Sequence, residues 1–348
     1  MKPWMGIGLV GLLGFVGTAV ADEEALLAEL EPSNPVGRQM LSADEYLHYT
    51  PSQERLTGRF VTAYSGTSAL WLEAVLGKLA QQHPSANWTS KEHFYASPGV
   101  LQVVSEGLVR VGVSSWPMTS AQREEFVRRF GYPVLEARVA LDAIQILAHP
   151  DNPIEQITVP QLDAIYGTEL RAGELKPIHR WDQLGVSAWG AADIKAYACT
   201  LYYGTSQFFQ EAVLVGGPWR EGLPVLGDVS TTPEYLVARD PRSLAYSNYR
   251  PRGDGVKVLP VARQTGERAF APLPRHIYSE EYPLTRFFYV YVNAPSVKDV
   301  PPEIREFLNY VLSFEGQYEV ARSGSLPLDR TMLLRARKRM GLPVFSTP

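Results

Sequence analysis

Residues 60–80, FVTAYSGTSALWLEAVLGKLA, constrain the fold more than any other stretch of this chain. Positions 60–64 alternate as a short strand does, Ser65-Gly66-Thr67-Ser68 is a tight turn rich in donors, and Leu70, Leu72, Val75, Leu76 and Leu79 recur at helical spacing. A strand that breaks directly into a helix leaves the first helical N–H groups unpaired, on the same side as the Ser and Thr hydroxyls. Such a turn is either a socket for an anion or a plain N-cap. A second stretch of the same kind, Tyr203-Gly204-Thr205-Ser206 running into an amphipathic pattern over 207–214, favours the socket. Two such helix starts, far apart in sequence, suit a ligand gripped between two lobes.

The N-terminus is of another kind. Lys2 is its only charge before Asp22, positions 5–20 are apolar and glycine-rich, and Ala19-Val20-Ala21 fits a small-residue cleavage site, so residues 1–21 are expected to be a secretory signal peptide. The alternative, a retained anchor, needs about 20 strongly apolar residues, and this run is shorter and interrupted by glycine. Cleavage takes Lys2 from the 33 basic residues and leaves a mature net charge of about −5, which argues against nucleic acid. Cys199 is the single cysteine, so no disulfide can form within the chain and a multi-cysteine zinc site is excluded. An exported chain with a substantial core and no disulfide suits the bacterial periplasm, and Cys199 reads as a small buried apolar residue.

Residues 22–54, acidic and proline-bearing, read as a mobile or loosely docked lead-in. From Arg55 the pattern alternates strand and helix: a strand at 91–97, helical spacing over 99–107 and a strand at 108–115, which is the rhythm of a parallel sheet covered by helices. Ser114 and Ser115 stand at the carboxyl end of that strand, where open α/β sheets place ligands, although Ser115-Trp116-Pro117 also reads as an ordinary turn. The apolar run 137–149 carries either two short strands or one strand crossing between lobes. Beyond it the pattern predicts a capped helix at 158–166, strands at 193–200, 243–249 and 256–262, and a helix at 232–238. An irregular stretch follows at 271–281, then a strong aromatic strand at 287–292, an amphipathic helix at 303–314 and a basic helix at 331–340 whose 335–339 run reads as a solvated face. The six histidines lack ligand spacing, and no nucleophile elbow, zincin, P-loop or dinucleotide motif is present, so neither catalysis nor a cofactor has a residue to stand on.

Taken in order, several of these stretches resemble one family. They are Ser65-Gly66-Thr67, the segment 112–119 (GVSSWPMT), 148–154 (AHPDNPI), Thr158-Val159-Pro160-Gln161-Leu162 with Ile165-Tyr166-Gly167, and Trp181-Asp182-Gln183-Leu184-Gly185. Tyr282-Pro283-Leu284-Thr285-Arg286 and Glu315-Gly316-Gln317 complete the set. Over residues 60–328 the chain is similar to the PstS-like, phosphate-binding members of the periplasmic solute-binding proteins of ABC transporters.

The resemblance implies an α/β, two-lobe type II periplasmic-binding-protein fold, with lobe one at 55–150 and 283–330, lobe two at 151–282, and a C-terminal helix and tail at 331–348. It also implies a non-enzymatic, monomeric protein of the periplasm that captures a small phosphate-like anion and closes on it by hinge motion for an inner-membrane ABC permease. Carried over by position, the ligand-binding set is Ser65, Gly66, Thr67, Ser68, Ser97, Ser114, Ser115, Tyr203, Gly204, Thr205 and Ser206. In the family's pattern an Arg falls on Cys199, a Ser on Tyr203, an acidic residue on Ser115, and a Ser on Ala96 with Ser97 beside it. Without the Arg, a bidentate contact is lost, each such charge-assisted bond being worth about 1.5–3 kcal/mol. Three readings therefore stay open: an oxyanion held by backbone amides, an organic phosphorylated ligand lined by Trp116 and Tyr203, or a scaffold that serves as an envelope sensor or partner surface.

Overall fold

The opening strand–turn–helix forms as β1 (Arg59–Ser65), a 3-10 turn over Gly66–Ser68, and α1 (Ala69–Gln82). The computed structural model describes residues 46–95, 97–201, 203–227 and 231–344. The expected signal peptide, the first part of the lead-in, Ala96 and Tyr202 lie outside them. Helix α1 buries Trp71, Leu72, Val75, Leu76 and Leu79, each such side chain contributing about 1.5–3 kcal/mol. Next come β2 (Asn87–Tyr95), α2 (Ser97–Ser105), β3 (Val111–Ser114), α3 (Ser120–Phe130) and β4 (Leu135–Ala148). Gly112 on β3 allows α2 to lie close, since a Cβ there would stand 2.6 Å from Val104 Cγ2. Helix α3 has no strong apolar stripe, and its start is marked instead by a capping box between Thr119 and Gln122.

The chain continues through β5 (Ile157–Thr158), α4 (Val159–Tyr166), β6 (Lys195–Cys199), α5 (Gly204–Ala212), β7 (Val225–Leu226), α6 (Thr231–Val237), β8 (Ser243–Asn248), β9 (Lys257–Leu259) and β10 (Val261–Ala262). It closes with α7 (Pro274–Tyr278), β11 (Thr285–Val292), α8 (Pro302–Val311), α9 (Phe314–Arg322) and α10 (Arg330–Arg339). One sheet runs in the order β2-β1-β3-β11-β4-β8-β6-β7, with β9 also on β4. Strands β2, β1 and β3 are parallel, as are β8, β6 and β7, whereas β11 and β4 run antiparallel to their neighbours in the middle. The apolar run at 137–149 is thus one crossing strand: β4 pairs with β11 up to Ala143 and with β8 from Ile144 onward. A parallel unit with its helices stands on either side of this central pair, the two-lobe α/β architecture.

Three local expectations change. The amphipathic helix expected at 303–314 forms as α8 but stops at Val311, because Ser313, whose hydroxyl accepts from Gly316 N, caps a further helix, α9, that the pattern did not mark. Gly316 is where they approach, a Cβ there falling 2.1 Å from Tyr310 O. In the 335–339 run, Arg337 is buried rather than solvated, donating to the carbonyls of Asn309, Leu312 and Pro343. The end of the lead-in is strapped down: Tyr46 donates to Leu328 O, Tyr49 N to Glu315, and Ser52 N to Glu306, while Tyr49 and His83 meet the same Glu306 carboxylate.

Candidate functional site

Three helix starts meet at one point. β1 and β3 are adjacent parallel strands, so the turns that leave their carboxyl ends, at Ser65 and Ser115, lie side by side, and α2 begins next to them at Ser97. Ser97 Oγ lies 3.1 Å from Ser115 Oγ and accepts from Ser115 N at 3.2 Å. Ser65 Oγ lies 3.2 Å from Thr67 Oγ1. Opposite them sits the first residue of α5: a Cβ on Gly204 would fall 2.4 Å from Ser115 Oγ, 3.0 Å from Ser65 Oγ and 3.1 Å from Ser97 Oγ. Only a residue without a side chain lets the two halves come so close. Neither the turn before α1 nor Tyr203 before α5 supplies a side-chain cap, so the leading amides of both helices keep their donor capacity for a guest.

Not every expected residue reaches this point. Ser65, Thr67, Ser97, Ser115, Gly204 and Thr205 are brought together, with Gly66 in the turn itself and Tyr203 at the α5 cap. Ser68 spends its hydroxyl on Ser65 O at 2.7 Å, closing its own turn. Ser114 donates to Trp116 O and accepts from Trp116 N, holding the bend after β3. Ser206 turns into its own half of the molecule, donating to Cys199 O and pairing with Tyr246 Oη at 2.8 Å. Cys199 is buried beneath it, with Sγ on Tyr246 O at 3.2 Å. Burial, with the nearby Cys199 second, pushes the Tyr246 phenol well above its ordinary range, so it remains a neutral donor and acceptor.

A guanidinium does reach the α5 turn, from an element that the sequence did not single out as part of the site. Arg286 on β11 donates through Nη1 to Gly204 O at 2.9 Å and through Nη2 to Thr205 Oγ1 at 3.0 Å. Its Nε donates to Asp142 Oδ2 at 2.8 Å, and Nη2 reaches the same carboxylate. Arg286 and Asp142 are cross-strand partners on β11 and β4, both 3% exposed. The other carboxylate oxygen accepts from Ala143 N and Tyr249 N, so this buried charge is hydrogen-bonded on both sides. Burial, and then the Asp142 charge, push the Tyr249 phenol up to about 12. Trp116 and Phe208 meet edge-on at 6.0 Å, and the Arg286 guanidinium lies 5.7 Å from the Phe208 ring, placing an aromatic flank beside the hydroxyl cluster. Among the described residues no group of three or more His, Cys, Asp or Glu is arranged to hold a metal.

The chain as a whole has relatives among known proteins. The family described as the PBP superfamily domain matches residues 53–315, and the phosphate-binding protein PstS of Pseudomonas aeruginosa is 30% identical over 241 residues, 69% of this chain and 74% of that protein. The chain belongs to the PstS family of the PBP superfamily. Among solved structures, a possible phosphate-binding protein from Planctomyces limnophilus matches this PstS-like chain with a TM-score of 0.64 at 19% identity, covering 82% of this chain and 98% of the other. A putative phosphate ABC transporter substrate-binding protein from Clostridium perfringens, solved with bound phosphate, has a TM-score of 0.58 at 21% identity, covering 78% and 100%. These likenesses establish the two-lobe fold. Within it, Cys199 is buried beneath the second turn, and an arginine from β11, Arg286, supports that turn. A lone Asp in the apolar run 137–149 and an Arg beside the most apolar strand were the signals for that pair.

Proposed function

We propose that this chain is a solute-binding protein that captures phosphate or a related oxyanion in the cleft between its two halves and delivers it to an inner-membrane ABC permease, performing no chemistry. The observation that carries this reading is the seating of Gly204 against the hydroxyls of Ser65, Ser97 and Ser115, which faces the uncapped start of α5 toward that of α1. Backbone amides at helix starts, with hydroxyls among them, are the chemistry that recognises a small oxyanion. The names of its relatives, phosphate-binding protein PstS among them, support the same ligand class. The binding set is Ser65, Gly66, Thr67, Ser97, Ser115, Tyr203, Gly204 and Thr205; Ser68, Ser114 and Ser206 hold its backbone in shape. Lobe one comprises 55–150 and 283–330, lobe two 151–282, and the protein acts as a periplasmic monomer after loss of residues 1–21. No helix among the described residues is long and apolar enough to cross a membrane. Calorimetric titration of the purified protein against phosphate, sulfate, molybdate and phosphonates tests the reading: a saturable heat with phosphate or another member is expected, and silence across the panel overturns it.

A further inference from the structure

A guanidinium that already serves three protein acceptors is poorly placed to serve a ligand directly, and this gives Arg286 a different task. Its plane is fixed by Asp142 on one edge, and one N–H from each of Nη1 and Nη2 meets Gly204 O and Thr205 Oγ1, two acceptors in the first turn of α5. Carbonyl and hydroxyl are adjacent in sequence, so the fork fixes both the peptide after Gly204 and the Thr205 side chain. The second effect has a chemical consequence. Thr205 Oγ1 is fully buried and accepts from Nη2, so its own proton points elsewhere; the described residues supply no acceptor for it. A buried hydroxyl proton left without an acceptor is costly unless a guest provides one.

We propose that Arg286 is a positioning residue that orients the Thr205 hydroxyl to donate its proton, so that the site offers its ligand a hydrogen-bond donor at that point. This rests on the oxyanion reading above and narrows it: at the Thr205 position the ligand presents an acceptor oxygen. Lysine cannot reproduce the effect, because an ammonium is a point charge and cannot hold Asp142, Gly204 O and Thr205 Oγ1 in one plane.

The test is a double-mutant cycle read by titration with inorganic phosphate. Arg286→Lys keeps the charge and is expected to weaken binding by about tenfold, the scale of one charge-assisted hydrogen bond. Thr205→Val, which keeps the shape and removes the hydroxyl, is expected to weaken it by a similar factor. Because the arginine acts through the threonine, the double variant should bind no worse than the weaker single variant. Losses that multiply, or an Arg286→Lys protein that binds as the wild type does, overturn the proposal. If Arg286→Lys fails to fold, Arg286→Met combined with Asp142→Asn, which leaves no buried charge unpaired, takes its place in the cycle with the same expectations. Amide hydrogen exchange of ligand-free protein gives a readout that does not depend on phosphate. Residues 207–209, whose amides close the first turn of α5, should exchange faster in Arg286→Lys than in the wild type while β6 is unchanged, and equal rates overturn the positioning role. Absence of phosphate binding by the wild type would instead sink the functional reading, so the two failures are distinguishable.

Discussion

The turns before α1 and before α5 have nearly the same sequence, Ser-Gly-Thr-Ser and Tyr-Gly-Thr-Ser, and are built on different principles. The first is self-supporting: Ser68 closes onto Ser65 O, Ser65 pairs with Thr67, and its neighbours Ser97 and Ser115 pair with each other, all through uncharged hydroxyls. The second is held from outside, by a buried ion pair on the two crossing strands whose arginine lies 82 and 81 residues from the two residues it fixes. A locally closed turn survives small movements of its surroundings. A turn strapped to the crossing strands moves with them, and those strands join the two halves of the molecule. Two turns of nearly the same sequence are therefore closed within one of them and held from the crossing strands in the other.

The contrast breaks most severely at Asp142. Asp142→Ala leaves the Arg286 guanidinium buried without a counter-charge, and removing one partner of such a pair costs about 3–5 kcal/mol. Denaturant unfolding should show a loss of that size, together with faster amide exchange across the start of α5 and little change at Ser65–Ser68. A loss below about 1 kcal/mol, the scale of an exposed ion pair, would mean that the second turn is no more tied to the crossing strands than the first.

Gly204 comes next in size and reports on how closely the jaws meet. Gly204→Ala sets a methyl 2.4 Å from Ser115 Oγ, and overpacking of this kind costs about 1–3 kcal/mol or is relieved by the halves standing apart. Small-angle scattering should show a larger radius of gyration, and phosphate titration a weaker complex. Adding Ser115→Ala, which removes the crowding oxygen, should recover part of the compaction. A Gly204→Ala protein that scatters as the wild type does would put the two turns further apart than the geometry here has them.

The same contrast explains what was legible in the sequence. Elements set by local pattern were readable: β1 with α1, the Thr158–Gln161 capping box of α4, and the aromatic β11. So was the pairing of the two Gly-Thr turns, because each carries its signal within a few residues. Elements set by distant contacts were not. The 303–314 stretch has an unbroken amphipathic period, yet α8 ends at Val311 and α9, capped by Ser313, follows it unmarked by that period. Arg337 sits in a run of cations that reads as a wet surface, yet the unpaired carbonyls at the end of α8 draw it inward. Ser68, Ser114 and Ser206 are indistinguishable in composition from Ser65, Ser97 and Ser115; which hydroxyl faces the cleft depends on the position of each in its turn. Arg286 and Asp142 were visible as residues, but their partnership requires the antiparallel register of β11 on β4.

The smallest expected effect tests the self-supporting jaw. Ser65→Ala removes one hydroxyl whose bond is to its own turn, at Thr67, and leaves the Ser68 closure on Ser65 O intact because that acceptor is backbone. A single neutral hydrogen bond of this kind is worth about 0.5–1.5 kcal/mol, so the melting transition should move slightly and exchange at the start of α5 should not move at all. The informative comparison is with Asp142→Ala: one residue inside the first turn should matter less than one residue far outside the second. Were Ser65→Ala to loosen α5 as well, the hydroxyl cluster would be carrying force between the jaws, and the coupling to the hinge would run through the serines as much as through the arginine.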